Sequence, residues 1–398
     1  MTRKPQVTPA EIEKWFEEES NGPLLIASGT TSDPAEKYAR SQLRVVRETK
    51  DYQLDYLRHA LQPGRELIDT SPTYQRRLRW TSKKRSLLIE SFLLNIPVPP
   101  IFLFERDYNE YEVIDGRQRL DTIREFLANN FALSGLEYWP ELERMRFNDL
   151  PLVLQRGLLR RSLGAVVLLA ETQGVGEDNL DVRRVLFDRL NTGGISLNPQ
   201  ELRNALYPGP LNEALISLAR SAPFTATWGI PHYVEGEEDN PSDALLKNPL
   251  FASLADAELV LRFFALRDAI ENKRQGSLRR ILDRFMQEYA NSCDNTLYTL
   301  KEQFTSLLSR LLVVFDAQPF RLPGTRRQSR PLYDALMIAL SKEPSLDIEN
   351  NAIAIKAALV EALDNPKHYD ILVGRGNTVE SVHERVTLAG AILRARTQ

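Results

Sequence analysis

The sequence predicts a mixed α and β domain followed by an all-helical one. Strand-sized apolar runs at 101–104, 111–114 and 164–170 are confined to the stretch between about Asp51 and Gly209, where they alternate with amphipathic segments. After Pro208 only helical spacing remains, over 254–270, 278–289, 296–315, 331–340, 352–363 and 378–395. The expected division is an N-terminal helix and linker over 1–49, the mixed domain over 50–209 and the helical domain over 210–398.

Each element has a local reason. Thr8 can cap a helix, Pro9 suits its first position, and Glu11 completes a capping box. Ile12, Trp15 and Phe16 give that helix an apolar stripe, and the Gly-, Ser- and Thr-rich residues 20–34 read as a linker. Leu54, Leu57 and Leu61 share a helix face that stops at Gly64, and a short extended piece follows at 66–69. Thr81 or Ser82 caps a helix running to Asn95. The strands 101–104 and 111–114 flank a polar turn, and a helix follows at once with Leu120, Ile123 and Leu127 inward. Residues 178–190 read as helical, and Asn198-Pro199-Gln200-Glu201 opens a helix with a second capping box. The acidic stretch 233–243 reads as a surface loop, and no solenoid period is present.

Composition removes several function classes. The 398 residues are 42% hydrophobic and 26% charged, close to the soluble average. A net charge of -3 excludes a uniformly basic nucleic-acid coat but not a local patch. Cys293 is the sole cysteine, so a disulfide framework and Cys-based zinc or iron–sulfur sites are excluded. His59, His232, His368 and His383 lie far apart with no HxH or HxxxH pair, which argues against a His-metal nuclease. The first residues lack an apolar h-region, and no apolar run approaches the ~18–20 residues of a bilayer span. A cytoplasmic protein without a membrane partner is expected.

The segment Val113-Ile114-Asp115-Gly116-Arg117-Gln118-Arg119-Leu120 carries the most chemistry. A strand runs into Asp115-Gly116 and a helix begins directly. Such an N-terminus offers open N–H groups and a positive dipole end, which suit a phosphate. Gly116 lets the ligand approach the backbone, Arg119 can grip it with two hydrogen bonds, and Asp115 could hold Mg²⁺. Asp115 and Gln118 fit a plain capping box equally well, with both arginines in water.

Three further stretches stand out. Tyr74 to Arg85 carries six cations and no acid, with Tyr74 and Trp80 interleaved. Arg77, Arg79, Trp80, Lys83 and Lys84 form a candidate nucleic-acid strip, or else a solvated loop and helix start. Asn191 before Gly193-Gly194 suggests a loop with positive φ, which either closes on the same pocket through Arg189, Asn191 and Asn204 or simply joins two helices. Between 321 and 330 four arginines lie in a Pro/Gly loop that either touches nucleic acid or is merely solvated.

Four ordered blocks, SPTYQRRLRW, LLIESFLLNIPVPPIFLFE, EVIDGRQRLDTIREFL and FDRLNTGGISLNPQELRNALYPG, together resemble the N-terminal domain of the GmrSD type IV restriction enzymes, a group of ParB/sulfiredoxin-like fold. The resemblance covers about residues 50–210. It implies an α+β nucleotide-binding domain with Asp115, Gln118 and Arg119 at its centre. Gly116, Arg117, Arg76, Gln75, Arg189, Asn191 and Asn204 would be nucleotide contacts. A nucleoside triphosphate and Mg²⁺ are the implied cofactors, with DNA and an effector protein from a neighbouring gene as implied partners; self-assembly is left open. The implied role is NTP hydrolysis coupled to DNA in restriction and phage defence, with Arg76 clamping the phosphates from the other side. The alternatives are a metal-dependent DNA nuclease and a non-enzymatic sensor or scaffold. The usual block is D-G-Q/L-Q-R-L-T/S, and this chain departs from it at Arg117 and Asp121. Asp121 either offsets Arg117 or alters the metal or phosphate preference.

Overall fold

The computed structural model describes residues 7–20, 47–62, 67–69, 80–107, 110–169, 198–207, 209–237, 241–323, 325, 328–374, 376 and 378–396. These fall into two units. The described residues between 47 and 169 form an α/β unit, and helix α1, Pro9–Ser20, joins the described residues from Asn198 onward in a helical unit.

The α/β unit is built on five strands: β1 Arg47–Gln53, β2 Ile68–Asp69, β3 Ile101–Asp107, β4 Glu110–Asp115 and β5 Ser162–Leu168. Their order is β1-β5-β3-β4-β2. The β3–β5 and β2–β4 pairs are parallel, and the β1–β5 and β3–β4 pairs are antiparallel. The carboxyl ends of β2 and β4 therefore share one end of the sheet. Four helices complete the unit: α2 Leu54–Ala60, α3 Ser82–Leu93, α4 Arg117–Leu127 and α5 Leu152–Leu159. Alternate residues of the strands, Ile101 and Leu103, Val113, and Leu163, Ala165 and Val167, form one core with Leu57, Ile89, Leu120, Ile123 and Phe126. Period-2 alternation in the strands and 3.6-residue spacing in the helices produce that division.

The cap residues act as their types dictate. Thr8 and Glu11 exchange hydrogen bonds, with Thr8 N–H donating to Glu11 Oε2 at 2.8 Å. Thr81 caps α3 by accepting from Lys84 N–H at 3.3 Å. Strand β1 was not foreseen, because RETKDYQ carries too few apolar residues to show a buried face. It lies at the sheet edge, paired with β5 alone, where charged side chains can point to water.

The helical unit contains α6 Pro199–Leu206, α7 Pro210–Ala219, α8 Ala222–Trp228, α9 Ala255–Glu271, α10 Leu278–Tyr289, α11 Asp294–Val314, α12 Arg330–Lys342, α13 Ala352–Asp364 and α14 Val379–Leu393. Helix α9 is buried on all sides, with Val260, Phe263, Phe264 and Leu266 within the core. The six helices expected after Pro208 are all present. The division differs from expectation at both junctions. Helix α6, placed by sequence in the mixed domain, packs with the helical unit, and so does α1, expected as an appendage. The reason is burial: Leu202, Arg203 and Leu206 of α6, and Ile12, Phe16 and Glu19 of α1, are turned into that unit's interior. The 233–243 stretch is not wholly a surface loop either. Glu237 is buried, and its Oε2 accepts from Arg220 Nη2 at 2.9 Å. The expected helix 178–190 lies outside the described residues. Among the described residues no helix is long and apolar enough to cross a membrane.

Candidate anion site at the start of α4

Strand β4 ends at Asp115, and α4 begins at Arg117 with Gly116 as its cap residue. Gly116 has φ +100°, in the left-handed region, and a Cβ there would overlap the Ile101 side chain. Only glycine meets both conditions. No side chain caps this helix. The capping-box alternative is thereby removed, because Gln118 reaches elsewhere: its Oε1 accepts from Trp80 N–H at 3.2 Å. The start of α4 combines side-chain-uncapped N–H groups with a positive dipole end, an arrangement that suits an anion.

Arg119 lies one turn on. Its Nη2 donates to Asp115 Oδ2 at 2.6 Å, and its mostly buried Nε has no hydrogen-bond partner among the described residues. Asp115 is the more open partner, at 43% exposure against 13% for Arg119. A register shift between Phe102 and Leu103 of β3 falls beside Asp115. Arg117 is held by Asp121, with Nε to Oδ2 at 3.5 Å, and Asp121 also meets Arg124 Nη2 at 3.4 Å. Burial lowers the Arg117 pKa, and the charges of Asp121 and, more weakly, Asp69 oppose that. The unusual acid at 121 therefore offsets the unusual cation at 117.

Asp69, the last residue of β2, was seen in sequence only as part of an extended piece. The one signal that could have raised it is its place at the carboxyl end of a strand parallel to β4. The chain leaves the sheet at Asp69, whose charge acts on Arg117, and returns at Trp80, bonded to Gln118. Asp69 and Trp80, the described residues flanking this block, thus both act on the first turn of α4. Gln75, Arg76, Arg77 and Arg79 are outside the described residues, as are Arg189 and Asn191.

Several expected roles take a different form. Gln118 is buried and bonded to the Trp80 backbone, so its amide orients a chain segment. Lys83 pairs with Glu137 at 3.3 Å, and Lys84 Nζ lies 4.7 Å from the centre of the Trp80 ring. The described part of the basic strip is therefore engaged within the protein. Asn204 is fully buried in the helical unit, where its Oδ1 accepts from Gln200 Nε2 at 3.0 Å, so its side chain is spent in that interior. Arg330, in the fourth basic patch, is buried and ion-paired, so neither the solvated nor the nucleic-acid reading describes it.

Asp115 is the carboxylate that this turn offers to a metal, and it is paired with Arg119. No group of three His, Cys, Asp or Glu suited to a metal occurs among the described residues. Mg²⁺ is commonly held by one or two carboxylates together with substrate phosphates.

The α+β unit thus has an uncapped helix start beside a paired arginine. Residues 57–208 match the family model of the GmrSD restriction endonuclease N-terminal domain, so this part of the chain carries a domain of that family. No curated protein and no solved structure matches the chain.

Proposed function

We propose that the α/β unit is a ParB/sulfiredoxin-like nucleotide-binding domain whose phosphate site is the first turn of α4. The chain would act with DNA in cytoplasmic restriction or phage defence, together with an effector protein. The carrying observation is the uncapped start of α4 with Arg119 beside it, one guanidinium nitrogen unused and another held by the exposed Asp115. A triphosphate entering here would draw Arg119 from Asp115 and take the free N–H groups of the turn. Charge-assisted bonds of this kind are about twice as strong as neutral ones. Gly116 allows the tight turn against Ile101, and Arg76 is the further phosphate contact that the family resemblance implies. Magnesium would arrive on the phosphates rather than on a protein cage.

Calorimetry of NTP binding tests this reading. Arg119→Ala should weaken affinity by tenfold or more, and unchanged affinity would remove the site.

Hydrolysis is the further expectation, through positioning and charge neutralisation. A second reading, nucleotide sensing without turnover, is favoured by the engagement of Gln118 and Asp115 within the protein. Phosphate release above that of Arg119→Ala selects hydrolysis, and tight binding with no release selects the sensor. The nuclease reading has one carboxylate to stand on, and nicking of a plasmid with Mg²⁺ or Mn²⁺ would revive it.

A further inference from the structure

The strongest concentration of buried charge lies in the helical unit, under α1. Arg203 is fully buried. It pairs with Glu19 of α1 through both terminal nitrogens, and its Nε donates to Asp283 Oδ1 at 2.9 Å. Arg330 is 2% exposed, and its Nη2 donates to Glu18 Oε2 at 2.8 Å. Its Nη1 lies 3.6 Å from Glu258 Oε1, and its guanidinium is 4.9 Å from the Trp15 ring centre. Buried Arg262 pairs with Asp334. Arg279 feels the charge of Glu19, and Arg385 that of Asp334 and Glu18. Glu258, Asp283 and Asp334 face these arginines from the later helices of the unit, and Glu18 and Glu19 of α1 add two more carboxylates.

A further observation points to a ligand site rather than a simple docking contact. Arg330 Nε and Nη1 and Glu258 Oε2 are buried without a hydrogen-bond partner among the described residues, so the cradle is only partly satisfied by what fills it. The apolar hold on α1 consists of buried Ile12 and Phe16, Val7 just ahead, and Trp15, whose ring meets that of Trp228 edge-on at 6.4 Å. A helix of this length is marginal alone in water.

We propose that Arg203, Arg330 and Arg279 form an oligophosphate-binding cradle, and that the acidic end of α1 occupies it as a competitor carried on the same chain. Removing one partner of a buried ion pair is strongly destabilising, so an anion that replaces the α1 carboxylates eases the departure of α1. A phosphate group offers the same two-oxygen geometry as a carboxylate, with more charge. The site is separate from the start of α4 and does not depend on it.

Hydrogen exchange on the full chain carrying Arg119→Ala tests this, with inorganic tripolyphosphate as probe and sodium chloride of matched ionic strength as control. Tripolyphosphate should raise amide exchange over 9–20 at least tenfold, and the salt control should not. Ile12→Ala, which loosens α1 without touching a charge, should bind the probe at least fivefold more tightly by calorimetry. Retained protection of α1 at millimolar tripolyphosphate, an equal rise in matched salt, or unchanged affinity in Ile12→Ala would each overturn the proposal. Loss of nucleotide binding at α4 would leave it standing.

Discussion

Gly116 meets two demands at once, a left-handed backbone and contact with Ile101. Gly116→Ala is expected to cost about 2–6 kcal/mol, since the strained φ and the overpacking each contribute about 1–3. A denaturant melt with the midpoint moved by less than the equivalent of 1 kcal/mol would mean the turn relaxes freely. Glu258 is pushed up to about 7 by burial first and by Glu19 second, against the pull of Arg330, Arg203 and Arg262. Its folded value lies above the ordinary one of 4.5, so the folded state holds the proton more tightly. The stability it contributes is complete below about pH 4.5 and is lost as pH rises through about 7. Melting temperatures across pH 5 to 8 should therefore fall more steeply for the wild type than for Glu258→Gln. Parallel slopes would contradict this environment.

At the scale of elements, Glu90 ties a loop to α3. Its buried carboxylate accepts from the backbone N–H of Glu137, Tyr138 and Trp139, the last two at 2.8 and 2.9 Å from Oε1. Bonds to a charged group contribute about 1.5–3 kcal/mol each, so Glu90→Ala should destabilise measurably and speed exchange at amides 137–139. Exchange unchanged there would mean other contacts hold the loop. Most elements were legible because a single period governs each. The spacing over 278–289 matches α10 end for end, and both capping boxes form as their residue types require. What escaped has a physical cause. Strand β1 buries little besides Tyr52, so it shows no apolar alternation. Gly116, Arg119 and Asp115 were readable from the β4–α4 junction. Gln118's bond to Trp80 and the burial of Asn204 were not, because each depends on contacts with residues elsewhere in the fold.

At the scale of the molecule, the two units carry separate cores, so a ligand should stabilise the one that holds it. Nucleotide at a hundred times its dissociation constant adds about 2.7 kcal/mol to the state that binds it. Exchange should slow around Leu120 and Ile123 of α4 well before it slows in the middle of α9. Equal protection of both helices would show that the units respond as a single cooperative body. The sheet also bears on assembly. One border is β1, fringed by Arg47, Glu48, Lys50 and Asp51, and the other is β2, two residues long. A neighbouring molecule meets either a hedge of charge or a rail too short to grip. Crowding should therefore not draw these two described borders into strand-on-strand fibres.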